Sequence, residues 1–143
     1  MIERFGVEGG KTTFGMHLML DAYGVRRELL ADKEKVSVFL SDLPGKIGMR
    51  ILDGPFVVEA KETNSGFDPG GWSGVVIIHE SHISIHTFPL RGFFSLDVYS
   101  CSNFQTQVEQ LMSHIGQAFP YKEEELVIIH RGRKYPVDDL HKK

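Results

Sequence analysis

The chain has 143 residues, 41% of them hydrophobic and 24% charged. Those values fit one globular domain, spanning 1–143, and exclude a disordered or collagen-like chain. At this size folding buries roughly two-thirds of the unfolded surface, so no disulfide or metal staple is required. The 16 Lys and Arg stand against 19 Asp and Glu, for a formal charge of -3. That balance gives no electrostatic case for nucleic acid or an anionic membrane as the main partner. Cys101 is the single cysteine, so neither an internal disulfide nor a thiolate-rich metal cluster can form. The start, MIERFGVEGGKTTFG, lacks the apolar region of a secretory signal, and no apolar run approaches bilayer length. A soluble, cytoplasmic protein is expected.

Residues 1–13 are polar and rich in Gly and Thr, and read as an arm ordered only where something holds it. A first strand is predicted over 14–25, ending in Gly24. A helix over 26–48 follows from the spacing of Val36, Phe39, Leu40 and Leu43, with Pro44-Gly45 as its stop. Residues 51–62 give one or two short strands around Gly54-Pro55, and 63–74 is turn-rich. The β-branched stretch 73–89 reads as a strand, a break near His79–Ser81 and a second strand. Residues 93–101 alternate apolar and polar side chains, as a half-buried strand does. A helix over 103–119 carries Val108, Leu111, Met112, Ile115 and Phe119 on one stripe, with Asn103 as its N-cap. A last strand covers 125–135, and 137–143 is a loose tail.

Consecutive strands outnumber crossovers in this order. The fold class is therefore α+β: a two-layer sandwich with a largely antiparallel sheet and helices on one face. Its second face is left uncovered, and dimerisation is expected to close it.

Chemistry concentrates in Glu80-Ser81-His82-Ile83-Ser84-Ile85-His86-Thr87-Phe88-Pro89, with His79 just before it. The plainest account is a half-exposed strand with polar residues alternating with isoleucines. A metal site on His79, His82 and His86 is disfavoured, because His82 and His86 stand about 13 Å apart on a regular strand. A Ser-His hydrolase elbow fails because Gly71-Trp72-Ser73-Gly74-Val75 lacks the final glycine. A decarboxylase needs an electron sink, borrowed or made from the chain. No lysine occurs between Lys61 and Lys122, which disfavours a borrowed pyridoxal phosphate.

The run from Glu80 to Pro89 resembles the hallmark of the prokaryotic S-adenosylmethionine decarboxylase family. Upstream, Phe67, Pro69, Gly71, Ser73 and Gly74 match that family's aromatic-Pro-Gly-Ser-Gly segment. Downstream, Asp97-Val98-Tyr99-Ser100-Cys101 matches its strand ending in cysteine, and His17, Tyr23-Gly24 and Arg131-Gly132 fit the family's ends. The resemblance implies a pyruvoyl-dependent carboxy-lyase made by self-cleavage between Glu80 and Ser81, giving chains 1–80 and 81–143. Ser81 becomes the covalent pyruvoyl cofactor and His86 is the base for elimination. Ser73 assists processing and Cys101 returns a proton to the product. The substrate amine condenses with the pyruvoyl ketone as a Schiff base, and no metal is involved. A homodimer of cleaved protomers in polyamine (spermidine) biosynthesis is the implied setting, with a small-molecule substrate and neither nucleic acid nor membrane as partner.

Ser81 and His86 are five apart, an odd offset that puts them on opposite faces of a perfect strand. Either the chain bends at Glu80–Ser81 or a bulge intervenes. Phe67 and Phe88 are the rings expected to hold adenine. Adenosyl-using members carry a ribose-binding glutamate where this sequence has Leu90, so S-adenosylmethionine and a basic amino acid (ornithine or arginine) both stand as substrates. For the latter, Glu80, Asp97, Glu62 and Asp68 are candidate acidic partners. A catalytically inactive, partner-binding relative is the rival from another class. Retention of Ser73, Ser81, His86 and Cys101 together counts against it.

Overall fold

The computed structural model describes residues 2–5, 14–60, 70–79 and 81–135. Its strands are β1 (Ile2–Phe5), β2 (Gly15–Tyr23), β3 (Ile51–Ala60), β4 (Gly71–Ile78), β5 (Ser81–Phe88), β6 (Phe93–Ser100) and β7 (Glu123–Arg131). The helices are α1 (Arg27–Leu30), α2 (Lys33–Lys46) and α3 (Val108–Ala118). One sheet runs in the order β1-β7-β2-β6-β5-β4-β3. Every pairing is antiparallel except that of β1 with β7. The expected α+β class, with a largely antiparallel sheet, is what forms.

Period-two patterning decides which face is covered. Met16, Leu18, Leu20 and Ala22 of β2, Ile83 and Ile85 of β5, and Phe94, Leu96 and Val98 of β6 are all buried. They meet Val36, Phe39, Leu40 and Leu43 of α2 and Leu111 and Ile115 of α3 in one apolar core. Each of the larger of these side chains, Ala22 apart, contributes about 1.5–3 kcal/mol on removal from water. The intervening residues His17, Asp97, His82 and His86 lie on the opposite, open face. Phe56, Val58 and Ile77 are exposed there or beside it.

Several boundaries depart from the periodicity. The helix expected over 26–48 is two helices, because Asp32 breaks it. Its backbone is extended, and its carboxylate accepts from the Lys35 amide at 3.1 Å as the N-cap of α2. Pro44 lies inside the last turn of α2, which runs on to Lys46. Asn103 is not the N-cap of the α-helix: its side chain accepts from Gln105 N–H at 2.9 Å ahead of a short 3-10 turn whose N-cap is Phe104, and α3 begins at Val108. Within the expected 51–62 segment, Ile51–Ala60 is one edge strand with register irregularities around Asp53, where a proline costs no ladder partner. Part of the expected arm is a strand, held by pairing Ile2–Phe5 alongside Leu126–Ile129. The expected tail over 137–143 lies outside the described residues. Among the described residues, no helix is long and apolar enough to cross a membrane.

Candidate active site

The β4–β5 hairpin and the end of β6 position the chemistry-bearing side chains. Ser73 and His86 are direct cross-strand partners on the open face, and Ser73 Oγ lies 2.8 Å from His86 Nδ1. Behind Ser73, Gly74 admits α2: a Cβ there would stand 2.6 Å from Leu40 Cδ1. The glycine beside the serine thus lets the helix close against the strand carrying it.

Ser81 opens β5 and is 8% exposed. Its hydroxyl accepts the backbone N–H of Cys101 at 2.8 Å, and the Cys101 Sγ lies 3.8 Å from the carbonyl oxygen of His79. A serine hydroxyl, a backbone donor and a thiol therefore converge where β5 begins and β6 ends. The Cys101 amide thus holds the Ser81 hydroxyl, the group that would act on the preceding peptide, and the same residue brings a thiol to that end of the strand.

No bend or bulge separates Ser81 from His86. The β4–β5 register runs unbroken from Ser73↔His86 to Ile78↔Ser81, and β5–β6 is equally regular from His82↔Tyr99 to Phe88↔Phe93. The expectation of a bulge is corrected: the ladder holds β5 straight, and the odd offset puts Ser81 and His86 on opposite faces; the alternative, a bend at Glu80–Ser81, falls on Glu80, outside the described residues. Five residues of strand separate them by about 16 Å. The four expected residues thus form two pairs, Ser81–Cys101 and Ser73–His86, which do not meet within one chain.

Phe88 lies beyond His86 and stacks on Phe93 at 5.3 Å between centroids, and Phe93 stacks on Tyr23 at 5.1 Å. Leu90 sits in the 3-10 turn Pro89–Arg91, 55% exposed. Phe67, Glu80, Glu62 and Asp68 lie outside the described residues.

The open face also holds a group whose association sequence spacing did not reveal. His17 Nε2 lies 2.9 Å from Asp97 Oδ1. The hydrogen bond from His17 is the main reason the Asp97 carboxyl sits below its ordinary pKa. The fields of His17, His82 and His86 add to it, and burial opposes it. His82 meets the Tyr99 ring at 5.6 Å, and the Arg131 guanidinium lies 4.4 Å from that ring's centroid. Burial lowers the His82 pKa, helped by the charge fields of His17 and Arg131 and opposed by that of Asp97. His17 and Asp97 are 80 residues apart, and only the β2–β6 register brings them together. The one sequence signal was the placement of each on the polar parity of its strand.

A family model described as S-adenosylmethionine decarboxylase matches residues 16–132. The chain belongs to that family. A Pyrococcus furiosus S-adenosylmethionine decarboxylase proenzyme is 34% identical over 121 residues, 84% of this chain and 80% of that one. A Thermodesulfovibrio yellowstonii protein of the same name is 34% identical over 128 residues, 85% of this chain and 88% of that one. The crystal structure of the Aquifex aeolicus adenosylmethionine decarboxylase aligns with a TM-score of 0.70 at 26% identity, covering 85% of this chain and 92% of that one. The family is one of decarboxylases made as proenzymes. Nothing in these likenesses favours the ornithine or arginine alternative.

Proposed function

We propose that this chain is a proenzyme that cuts itself between Glu80 and Ser81, and that the product decarboxylates S-adenosylmethionine through a pyruvoyl group formed from Ser81. The observation that carries this reading is the hydroxyl of Ser81 fixed by the Cys101 N–H at 2.8 Å, with a thiol alongside, at the position the family motif assigns.

Ser81 Oγ attacks the Glu80 carbonyl carbon. The peptide C–N bond breaks as the ester C–O bond forms, and the hydroxyl proton passes to nitrogen. Removal of the Ser81 Cα proton then expels the Glu80 carboxylate and leaves a dehydroalanine. One water converts its enamine to a ketone and releases ammonia. The pieces hold 80 and 63 residues.

His86 is the base proposed for the Cα proton, and Ser73 orients its imidazole through the 2.8 Å bond. Because that pair stands about 16 Å from Ser81 along its own strand, the working enzyme is proposed to be a homodimer. A second copy would cover the open face and bring its Ser73–His86 pair to the Ser81–Cys101 end. The exposed Phe56, Val58 and Ile77 support a covered face.

The ketone supplies an electron sink for the departing carboxylate's electrons. Cys101 then returns a proton to the carbon that loses CO₂. Phe88, held in its ring stack, offers a flat wall to an adenine. The relatives' shared name, S-adenosylmethionine decarboxylase proenzyme, supports the adenosyl substrate, and Asp97 already spends one oxygen on His17. Leu90 can accept no hydrogen bond from a ribose, so each lost charge-assisted bond of about 1.5–3 kcal/mol must be replaced elsewhere or forgone. The product would serve spermidine synthesis. The deciding experiment is the intact mass of purified protein, followed by CO₂ release from S-adenosylmethionine, ornithine and arginine side by side. Two fragments meeting at Glu80/Ser81 and turnover of S-adenosylmethionine are expected. One uncut chain inert to borohydride overturns the reading.

A further inference from the structure

The chain neighbours of Ser73 and His86 turn to the opposite, helix-covered face and are anchored there. Thr87 follows His86 and is 2% exposed. Its Oγ1 donates to the Leu30 carbonyl at 2.9 Å and accepts the Trp72 backbone N–H at 2.9 Å. Trp72 precedes Ser73 and donates its indole Nε1–H to the Ala31 carbonyl at 2.8 Å. Leu30 and Ala31 close α1, where a helix leaves carbonyls without a partner of its own. Two consecutive orphan acceptors thus take the two residues flanking the Ser73–His86 pair, and those two are bonded to each other.

The β4–β5 register ends at Ser73↔His86. One step further, the Trp72 amide turns to the Thr87 side chain, so a hydroxyl stands in where the ladder stops. The strands are drawn unusually close there: a Cβ on Gly71 would lie 2.1 Å from the Thr87 carbonyl oxygen. An exposed serine–imidazole contact competes with water and is weakly self-holding. Its geometry is set by where the two backbones are held.

We infer that Thr87 is a positioning residue for the Ser73–His86 pair, with Trp72 the second arm of the same bracket. The chemical task of the pair is the one proposed above; Thr87 governs where the pair stands. Thr87→Val keeps the shape but leaves the Leu30 carbonyl and the Trp72 amide unpaired in the interior. Thr87→Ser keeps the hydroxyl, and Trp72→Phe removes the indole bond alone.

Two readouts test this. The first is the ¹⁵N signal of His86 Nδ1 in the uncut Ser81→Ala chain, which needs no activity. Thr87→Val is expected to shift it to the value of Ser73→Ala and Thr87→Ser to leave it in place, with Trp72→Phe intermediate. The second is the self-cleavage rate against pH in the Ser81 chain. It should fall about tenfold to a hundredfold in Thr87→Val, as misplacement of a catalytic group does, and stay within about twofold in Thr87→Ser. Leu111→Ala in α3, which destabilises without touching the bracket, should not move the His86 signal. An unmoved signal in Thr87→Val, or a Thr87→Ser chain as impaired as Thr87→Val, overturns the assignment. If Thr87→Val does not fold, an unmoved signal in Trp72→Phe overturns it. Failure of the parent chain to cut at Glu80/Ser81 would instead sink the proposed function and leave the His86 signal to decide the bracket.

Discussion

At the start of β5, Ser81 is buried and its hydroxyl is held by a backbone amide of the neighbouring segment. Five residues on, His86 is exposed and its imidazole meets the hydroxyl of Ser73. A backbone donor locked by the sheet leaves Ser81 little rotational freedom, which suits a nucleophile that acts once on its own preceding peptide. A side-chain contact on an uncovered face is presented outward, which suits a base that serves another copy. One strand thus carries an inward-locked group and an outward-offered one, and the alternation of side chains alone keeps them apart.

The largest expected effect falls on the locked end. Ser81→Ala should abolish cleavage, leaving one chain of 143 residues in an intact-mass spectrum. Ser84→Ala, an open-face serine on the same strand, should still cut; equal loss in both variants would break the contrast. Next comes complementation. A His86→Ala chain, uncut alone, should be cut when co-expressed with Cys101→Ala, whose own His86 is intact. With random pairing of the two chains, about half of the His86→Ala chains should be processed. No processing in the mixture would place the base within its own chain and remove the reason for a shared site.

Much of this contrast was readable before the structure, and the rest was not for identifiable reasons. The alternation in 93–100 and 81–88 sorted core from open face because a one-residue slip would bury the charges. The motif named Ser73, Ser81, His86 and Cys101, and the odd Ser81–His86 offset was plain arithmetic. What arithmetic could not say was whether a bulge repaired it; the unbroken registers of both flanking ladders answer that. The His17–Asp97 bond was hidden because a cross-strand register 80 residues apart is a tertiary fact. The Asp32 cap went unread because Val36, Phe39, Leu40 and Leu43 carry helical spacing across its surroundings, so periodicity outweighed a local capping signal. The arm over 1–13 was read from composition as ordered only where something holds it, and composition could not name the holder, which for Ile2–Phe5 is β7.

The two faces also predict different mutational costs. Leu96→Ala, on a residue 1% exposed in the core, should cost about 2–5 kcal/mol through lost contacts and a residual cavity. Ile77→Ala, 38% exposed on the open face, should cost under about 1 kcal/mol in the isolated chain. If a second copy covers that face, the Ile77 variant should instead dissociate at higher protein concentration than the parent. Urea unfolding and sedimentation of uncut Ser81→Ala protein separate the two effects.

The smallest expected effect is the acid sensitivity of the open face, and its sign follows from the shifts. Burial lowers the folded His82 pKa below its ordinary 6.5, so as pH falls through about 6.5 the unfolded chain takes up that proton first. Stability is then lost until the folded pKa is reached. The bond from His17 lowers the folded Asp97 pKa below its ordinary 3.8. Its contribution is present above that value and is lost only as pH falls through it. The two groups therefore act in separate windows and in the same direction. His82→Gln should flatten the decline in urea midpoint that begins near pH 6.5 while leaving the decline below about pH 4. Asp97→Asn should flatten the decline below about pH 4 and, because the Asp97 field raises the His82 pKa, somewhat deepen the one near pH 6.5; both effects are expected to be modest because solvent screens half-exposed groups. A midpoint that falls through the upper window just as steeply in His82→Gln as in the parent would mean that the imidazole is hydrated in solution. The open face would then be far less burying around Tyr99 than the ring contact at 5.6 Å implies.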